Sequence, residues 1–320
     1  MHIPDGFLDT KTVITTLVLS LVGVGRALRE LKTQLSPQKV PLMGLAAAFI
    51  FVAQMLNFPV FGGTSGHLLG AVLVSVLLGP SSAIIVMTVV IMVQSLIFAD
   101  GGVLALGANI FNMGIIATVG GYYIYRTVSK LMPAEYGKLA VAAFAAWCST
   151  VLAAICCAGE LAWSGTVPWS MGFPVMTGVH MLIGVGEGLI TTLVLAAVYK
   201  TRPDLWSLQE KIGQGSGDRS LKGLLIYGSL IIAGLVIFVL PFASPLPDGL
   251  KKVAVKFGFD SSAITSPLIK SPMADYHVPG IGSLSTATAL AGIIGAVIVF
   301  IFSFVLAKAV FQKSNGEINV

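Results

Sequence analysis

Ser81-Ser82-Ala83-Ile84-Ile85-Val86-Met87-Thr88-Val89-Val90-Ile91-Met92-Val93-Gln94-Ser95-Leu96-Ile97-Phe98 runs without a single charge, close to the ~20 apolar residues an α-helix needs to cross a bilayer. Gly79-Pro80 stands in front of it and ties it tightly to a shorter apolar run. The rest of the chain repeats the pattern: 56% of residues are apolar, only 10% are charged and the mean hydropathy is +0.92, whereas about a quarter of residues are charged in soluble domains. Nine candidate spans follow, at 10–25, 41–57, 67–79, 81–98, 103–125, 138–158, 173–199, 223–242 and 286–308. The fold class is therefore all-α, a polytopic membrane bundle. The run at 67–79 reads either as a full span or as a steep half-length helix buried in protein.

Alternation of the loops sets an orientation. With the N-terminus outside, the inner segments carry Arg26, Arg29, Lys32, Lys39, Arg126, Lys130, Lys138, Lys200, Arg202, Lys211, Arg219, Lys222, Lys308 and Lys313, fourteen of the 19 basic residues. The positive-inside rule then puts the N-terminus out and the C-terminus in the cytoplasm. The net charge of +5 is accounted for by these loops and gives no sign of a nucleic-acid partner. The same topology sends His2, His67, His180 and His277 to the outer side, an arrangement suited to collecting a cation there.

The chain opens Met1-His2-Ile3-Pro4-Asp5-Gly6-Phe7-Leu8-Asp9. Asp5 and Asp9, with no basic n-region, argue against a removable signal peptide, so Met1 is expected to keep a free α-amine. That amine, the backbone nitrogen of His2 and the His2 imidazole close two fused chelate rings around one ion and leave a fourth in-plane position. Square-planar nitrogen coordination points to Ni(II) or Cu(II). Pro4 holds Ile3 extended, and Pro4-Asp5-Gly6 turns the chain back. His67 ends the glycine-rich Phe61-Gly62-Gly63-Thr64-Ser65-Gly66, where missing side chains let the terminus approach, and would supply the fourth nitrogen.

These residues resemble the M components, the substrate-binding subunits of the energy-coupling-factor importers for nickel and cobalt, the CbiM/NikM family. The resemblance rests on His2 to Phe7, Gly62 to Ala71, Leu78-Gly79-Pro80, Phe98-Ala99-Asp100-Gly101-Gly102, Leu106 to Gly114, and Gly178-Val179-His180. It implies that the metal is held by the Met1 amine, the backbone and side chain of His2, and His67. Pro247-Asp248-Gly249-Leu250 and the spans around it resemble the two-span N component, with Lys251 where a glutamate is usual; that fusion tilts the resemblance towards nickel. It implies a seven-helix M-type domain over 1–205, a cytoplasmic linker at 206–222, and a two-helix N-type domain over 223–320 with its outer loop at 243–285. It also implies a prokaryotic plasma membrane, no resident cofactor, and as partners a transmembrane coupling subunit of the T/Q type and two cytoplasmic ATPases. Ni(II) is the expected cargo, Co(II) the alternative.

Other polar residues are open to two readings. Gln54, Asn57, Thr64, Ser65, Gln94, Asn109 and Asn112 are candidates to orient the ligands, or buried amides and hydroxyls joining helices. Glu187, read as the one acid inside a span, is a candidate for proton coupling or for a structural hydrogen bond. His180, with Met171, Met176 and Met181, forms a candidate soft-metal cluster or simple packing, and His277 is a candidate to hand metal to the site. Cys156 and Cys157 read as buried small hydrophobes, their side chains about 100° apart on a helix. Small residues at Gly44, Ala47 and Ala48 offer a close-packing face to the coupling subunit. No G-x-x-x-x-G-K-[ST] stretch is present, so the chain has no P-loop of its own for ATP. Two other functions stay open: a stand-alone proton-coupled transporter using Glu187, and a membrane metalloenzyme, against which a saturated four-nitrogen site argues because catalytic metals keep an open position.

Overall fold

A computed structural model describes residues 1–132, 134–202, 218–264 and 269–318. The sequence-predicted linker 206–222 lies largely outside the described residues. Helix α1 (Thr10–Gln34) begins where the Asp9 carboxylate accepts the Thr12 N–H at 3.0 Å, filling one of the donors a helix start leaves open. Its pattern is that of a membrane helix: Thr12, Thr16 and Ser20 are buried while Ile14, Val18, Leu21 and Val22 are exposed. Small polar residues let neighbours approach, and the Ser20 hydroxyl donates to Gly107 O at 2.7 Å.

Next come α2 (Lys39–Met55), a hairpin of β1 (Phe58–Val60) and β2 (Thr64–Gly66), α3 (Ala71–Leu78) and α4 (Pro80–Phe98). Pro80 opens α4 at its first position, where the missing N–H costs nothing. This is the run quoted at the outset, and it forms the centre of the bundle, with 83% of its apolar window buried. Helix α5 is built from Leu106–Asn109, the π-helical Ile110–Ile116 and Ala117–Val128. Helices α6 (Glu135–Trp163) and α7 (Trp169–Thr201) pack along their lengths. The tail adds α8 (Asp218–Gly234 continued by Leu235–Val239 and Leu240–Phe242), the short α9 (Gly249–Phe257) and α10 (Leu284–Ile318). Among the described residues six helices are long and apolar enough to cross a membrane, and Lys39–Met55 is a shorter apolar helix.

Two local readings are corrected here. The predicted span 67–79 does not start at His67: residues 67–70 are not helical, and only Ala71–Leu78 is, seven of its eight residues buried. Gly70 adopts φ 80°, which L side chains avoid, and the N–H groups of Leu69 and Gly70 are taken by Glu187 instead of a preceding turn. The glycine-rich loop before His67 is partly a β-hairpin, with Phe58 paired to Gly66 and Val60 to Thr64.

The Gly44, Ala47 and Ala48 face is not free for a coupling subunit. The tail helix α10 covers it: a Cβ on Gly44 would stand 3.0 Å from Phe300 O, and one on Gly295 would stand 2.2 Å from the Phe51 ring. The small-residue surface of α2 thus serves packing within the chain.

Candidate metal centre

The first nine residues form a strap pinned from several sides. Ile3, fully buried, donates its N–H to Asn109 Oδ1 at 2.8 Å and accepts from Asn109 Nδ2 at 3.0 Å and from Gly102 N at 2.8 Å. After the Pro4-Asp5-Gly6 turn, the Asp5 carboxylate accepts N–H groups of Val103, Leu104 and Ala105 at 2.8–3.2 Å, just before α5. Thr166 Oγ1 donates to Phe7 O at 2.5 Å. With Ile3 fixed, Met1 and His2 have little room to move.

The Met1 amine donates to His67 Nε2 at 2.9 Å and pairs with Asp248 Oδ2 at 3.0 Å. His67 Nδ1 lies 3.1 Å from Leu68 O; a carbonyl only accepts, so Nδ1 carries the proton and Nε2 presents its lone pair to the amine. The rings of His2 and His67 stack with centroids 5.4 Å apart. His2 Nδ1 faces Asp100 Oδ1 at 3.2 Å, and His2 Nε2 faces Gln94 Oε1 at 3.1 Å. Gln94 Nε2 donates to Gln54 Oε1 at 2.9 Å, and Gln54 Nε2 donates to Leu69 O at 2.9 Å, so one chain of bonds joins both histidine segments. Tyr276 OH donates to Asp100 Oδ2 at 2.5 Å. Among the described residues no three His, Cys, Asp or Glu side chains group as metal ligands.

Burial lowers the His2 pKa against the raising effect of Asp100. Burial, then the neighbouring ammonium and His2, pull His67 down to about 3. Burial thus favours the neutral imidazole at both positions, the form that binds metal. Burial pushes Asp248 up, but the Met1 ammonium and the Lys251 N–H outweigh it and hold the carboxyl well below its usual range. A cavity of about 500 Å³ opens onto His2 and His67, and Asp100, Asp248, Asp260 and Asp275 also line it.

Of the sequence-predicted residues, Met1, His2 and His67 meet, and Gln54, Gln94 and Asn109 hold them. Asn57 lines the cavity, its carbonyl accepting from Ser244 N at 2.7 Å. Thr64 and Ser65 do not touch the histidines; their hydroxyls donate to Pro247 O at 3.0 Å and Leu246 O at 2.7 Å, fastening the tail. Asn112 is one turn too far along α5 and donates to Glu160 Oε2 at 2.6 Å. Glu160, near the end of α6, is a buried acid beyond the predicted span, so Glu187 is not the single acid of the helices. Glu187 accepts the N–H groups of Leu69 at 2.5 Å and Gly70 at 2.8 Å, a holding role for the His67 segment. His180 adjoins Met1 and His67 in a small pocket, its Nδ1 2.8 Å from Met176 O; Met171 and Met181 are exposed, so no His/Met cluster forms. His277 does not line the cavity beside its neighbour Tyr276.

Sequence reasoning did not select Asp100, Asp248 or Tyr276. Asp248 reads as a helix cap, and it is one, accepting Lys251 N at 2.7 Å; its second oxygen reaches Met1 only through folding. Asp100 sat in plain view in the Ala99-Asp100-Gly101 turn.

A buried strap, two buried imidazoles and a helical bundle together define a multi-pass membrane protein for handling a metal ion. Residues 2–205 match the family described as "Cobalt uptake substrate-specific transmembrane region", and residues 222–312 match the PDGLE domain. The chain belongs to that cobalt-uptake family. It is 35% identical over 310 residues to the putative fused nickel transport protein NikMN of Archaeoglobus fulgidus, covering 96% of this chain and 98% of that protein. It is 30% identical to the putative cobalt transport protein CbiM of Methanococcus voltae, covering 68% and 100%. A crystal structure of a truncated transition metal transporter is 32% identical, with a TM-score of 0.58 over 62% of this chain and 99% of that one. The chain is a nickel or cobalt transport component of the prokaryotic plasma membrane.

Proposed function

We propose that this chain captures Ni(II) outside the cell as the substrate-binding subunit of an ATP-driven energy-coupling-factor importer. The ion is held square-planar by the Met1 amine, the His2 backbone nitrogen, the His2 imidazole and His67 Nε2. The observation that carries this is the 2.9 Å between the Met1 amine and His67 Nε2, since two cis nitrogens at about 2 Å from a metal stand about 2.8 Å apart. Binding takes a proton from the amine and from the His2 amide. His2 Nδ1 bonds the metal with the ring left in place, beside Asp100, and the proton on Nε2 points at Gln94 Oε1, which fixes the ring. Asp100 and Asp248 stay close enough to offset the charge of the ion.

The orientation follows from the basic inner loops. The energy comes from two ATPases acting through a transmembrane coupling subunit, because the chain has no P-loop of its own. Co(II) is the second reading, supported by the cobalt named for the family and for one relative; it uses the same ligands with added ones above and below the plane. Titration calorimetry on protein with a free Met1, and on the same protein extended by one residue before Met1, tests the chelate. Tight binding only by the first is expected, and equal binding by both would overturn it.

A further inference from the structure

The tail loop reaches the metal centre through Tyr276 as well as through Asp248. Asp275 and Tyr276 have φ of 53° and 59°, two consecutive non-glycine residues in the left-handed region. Such residues are uncommon and persist only where the surroundings hold them. The surroundings here are specific: Met273 N donates to Ile97 O at 3.0 Å, and the Tyr276 ring stacks on Phe98 with centroids 4.9 Å apart. The result is the 2.5 Å bond from Tyr276 OH to Asp100 Oδ2.

The other oxygen of Asp100 stands 3.2 Å from His2 Nδ1. A carboxylate oxygen and an imidazole nitrogen bound cis to one metal stand about 2.9 Å apart. The near oxygen of Asp100 therefore lies beside the position of any ion that takes His2 Nδ1. Asp248 has the same form, with one oxygen capping α9 and the other 3.0 Å from the Met1 amine. Each carboxylate is tied at its far oxygen by the tail and faces a ligand nitrogen with its near one. A four-nitrogen plane suits Ni(II), whereas additional oxygen ligands move a site towards octahedral preferences.

We propose that Tyr276 is a specificity-determining positioning residue, tethering Asp100 just outside the coordination sphere so that nickel stays four-coordinate and ions needing axial ligands bind less well. This rests on the four-nitrogen reading above. The N-type tail then does more than cover the site: it sets the coordination number.

The test uses the full chain with a free Met1, titrated with Ni(II) and Co(II), with the magnetic moment of bound nickel as the second readout. Wild type should bind Ni(II) in the diamagnetic form. Tyr276→Phe keeps the stack on Phe98 but frees Asp100; bound nickel should turn paramagnetic, and the Ni/Co affinity ratio should fall on the order of 10-fold, the usual scale for an outer-shell partner. Adding Asp100→Ala to Tyr276→Phe removes the extra donor and should restore diamagnetic nickel, which a fold-damaged variant would not do. Diamagnetic nickel and an unchanged ratio in Tyr276→Phe overturn the tether, and so does a double variant that stays paramagnetic. Paramagnetic nickel in wild type overturns the four-nitrogen reading itself, and the tether with it.

Discussion

Nε2 of His67 lies 2.9 Å from the amine of Met1 although 66 positions separate the two residues. Neither group is held by its own neighbours alone: the strap is fixed through Asp5 and Ile3, and the His67 segment through Glu187.

Glu187→Ala tests the second anchor. It leaves two buried N–H groups, of Leu69 and Gly70, without an acceptor, each costing about 1–3 kcal/mol. Metal affinity should fall about 10–100-fold and thermal stability should drop with it. Unchanged calorimetric affinity in a folded variant would detach Glu187 from the site.

His67→Ala should lose at least about 100-fold in metal affinity, more than an outer-shell change costs. His180→Ala should bind metal nearly as wild type, because His67 Nε2 already takes the fourth in-plane position and His180 is only a neighbour of the site. Parallel titrations separate the two, and equal losses would make His180 a ligand.

Gly295→Leu probes the seat of the tail. The added side chain meets the Phe51 ring, where a Cβ alone would come within 2.2 Å, and overpacking of this kind costs about 1–3 kcal/mol. A lower melting temperature is expected in detergent, together with weaker metal binding as Asp248 and Tyr276 withdraw. Full stability would mean that α10 does not pack on α2.

Acid should loosen the metal-free centre. The folded pKa of His67 is lowered from 6.5 to about 3, so between those values the unfolded or undocked state binds a proton that the docked state does not. Stability from this group is therefore complete above about pH 6.5 and is lost as pH falls towards 3. Hydrogen exchange at the Ile3 amide, followed from pH 7 to pH 4, should show protection declining; constant protection would contradict it.

The sequence also shows where reading along the chain stops. Met1 and His2 stood out as candidates because amine, amide and imidazole on adjacent residues are local chemistry, His67 because it ends a glycine-rich loop, and Gln54 and Gln94 because amides in apolar runs stand out. Asp100, Asp248 and Tyr276 were not, since a turn aspartate and a loop tyrosine look the same whether they face solvent or a ligand. The Gly44 face misled for a related reason: small residues announce close packing without naming the partner, which proved to be Phe300 and its helix. Glu160 was missed because α6 runs on past the apolar stretch that marked it.

By itself the sequence determined the membrane class and most of the helices, and marked the terminus as a candidate chelate, because hydropathy over about 20 residues and bonds between adjacent residues are local properties. Only the tertiary structure decided which carboxylates surround that terminus, that Glu187 holds backbone, and that the tail closes over the site. Those contacts join residues roughly a hundred or more positions apart, and burial against distant partners, not spacing along the chain, selects them.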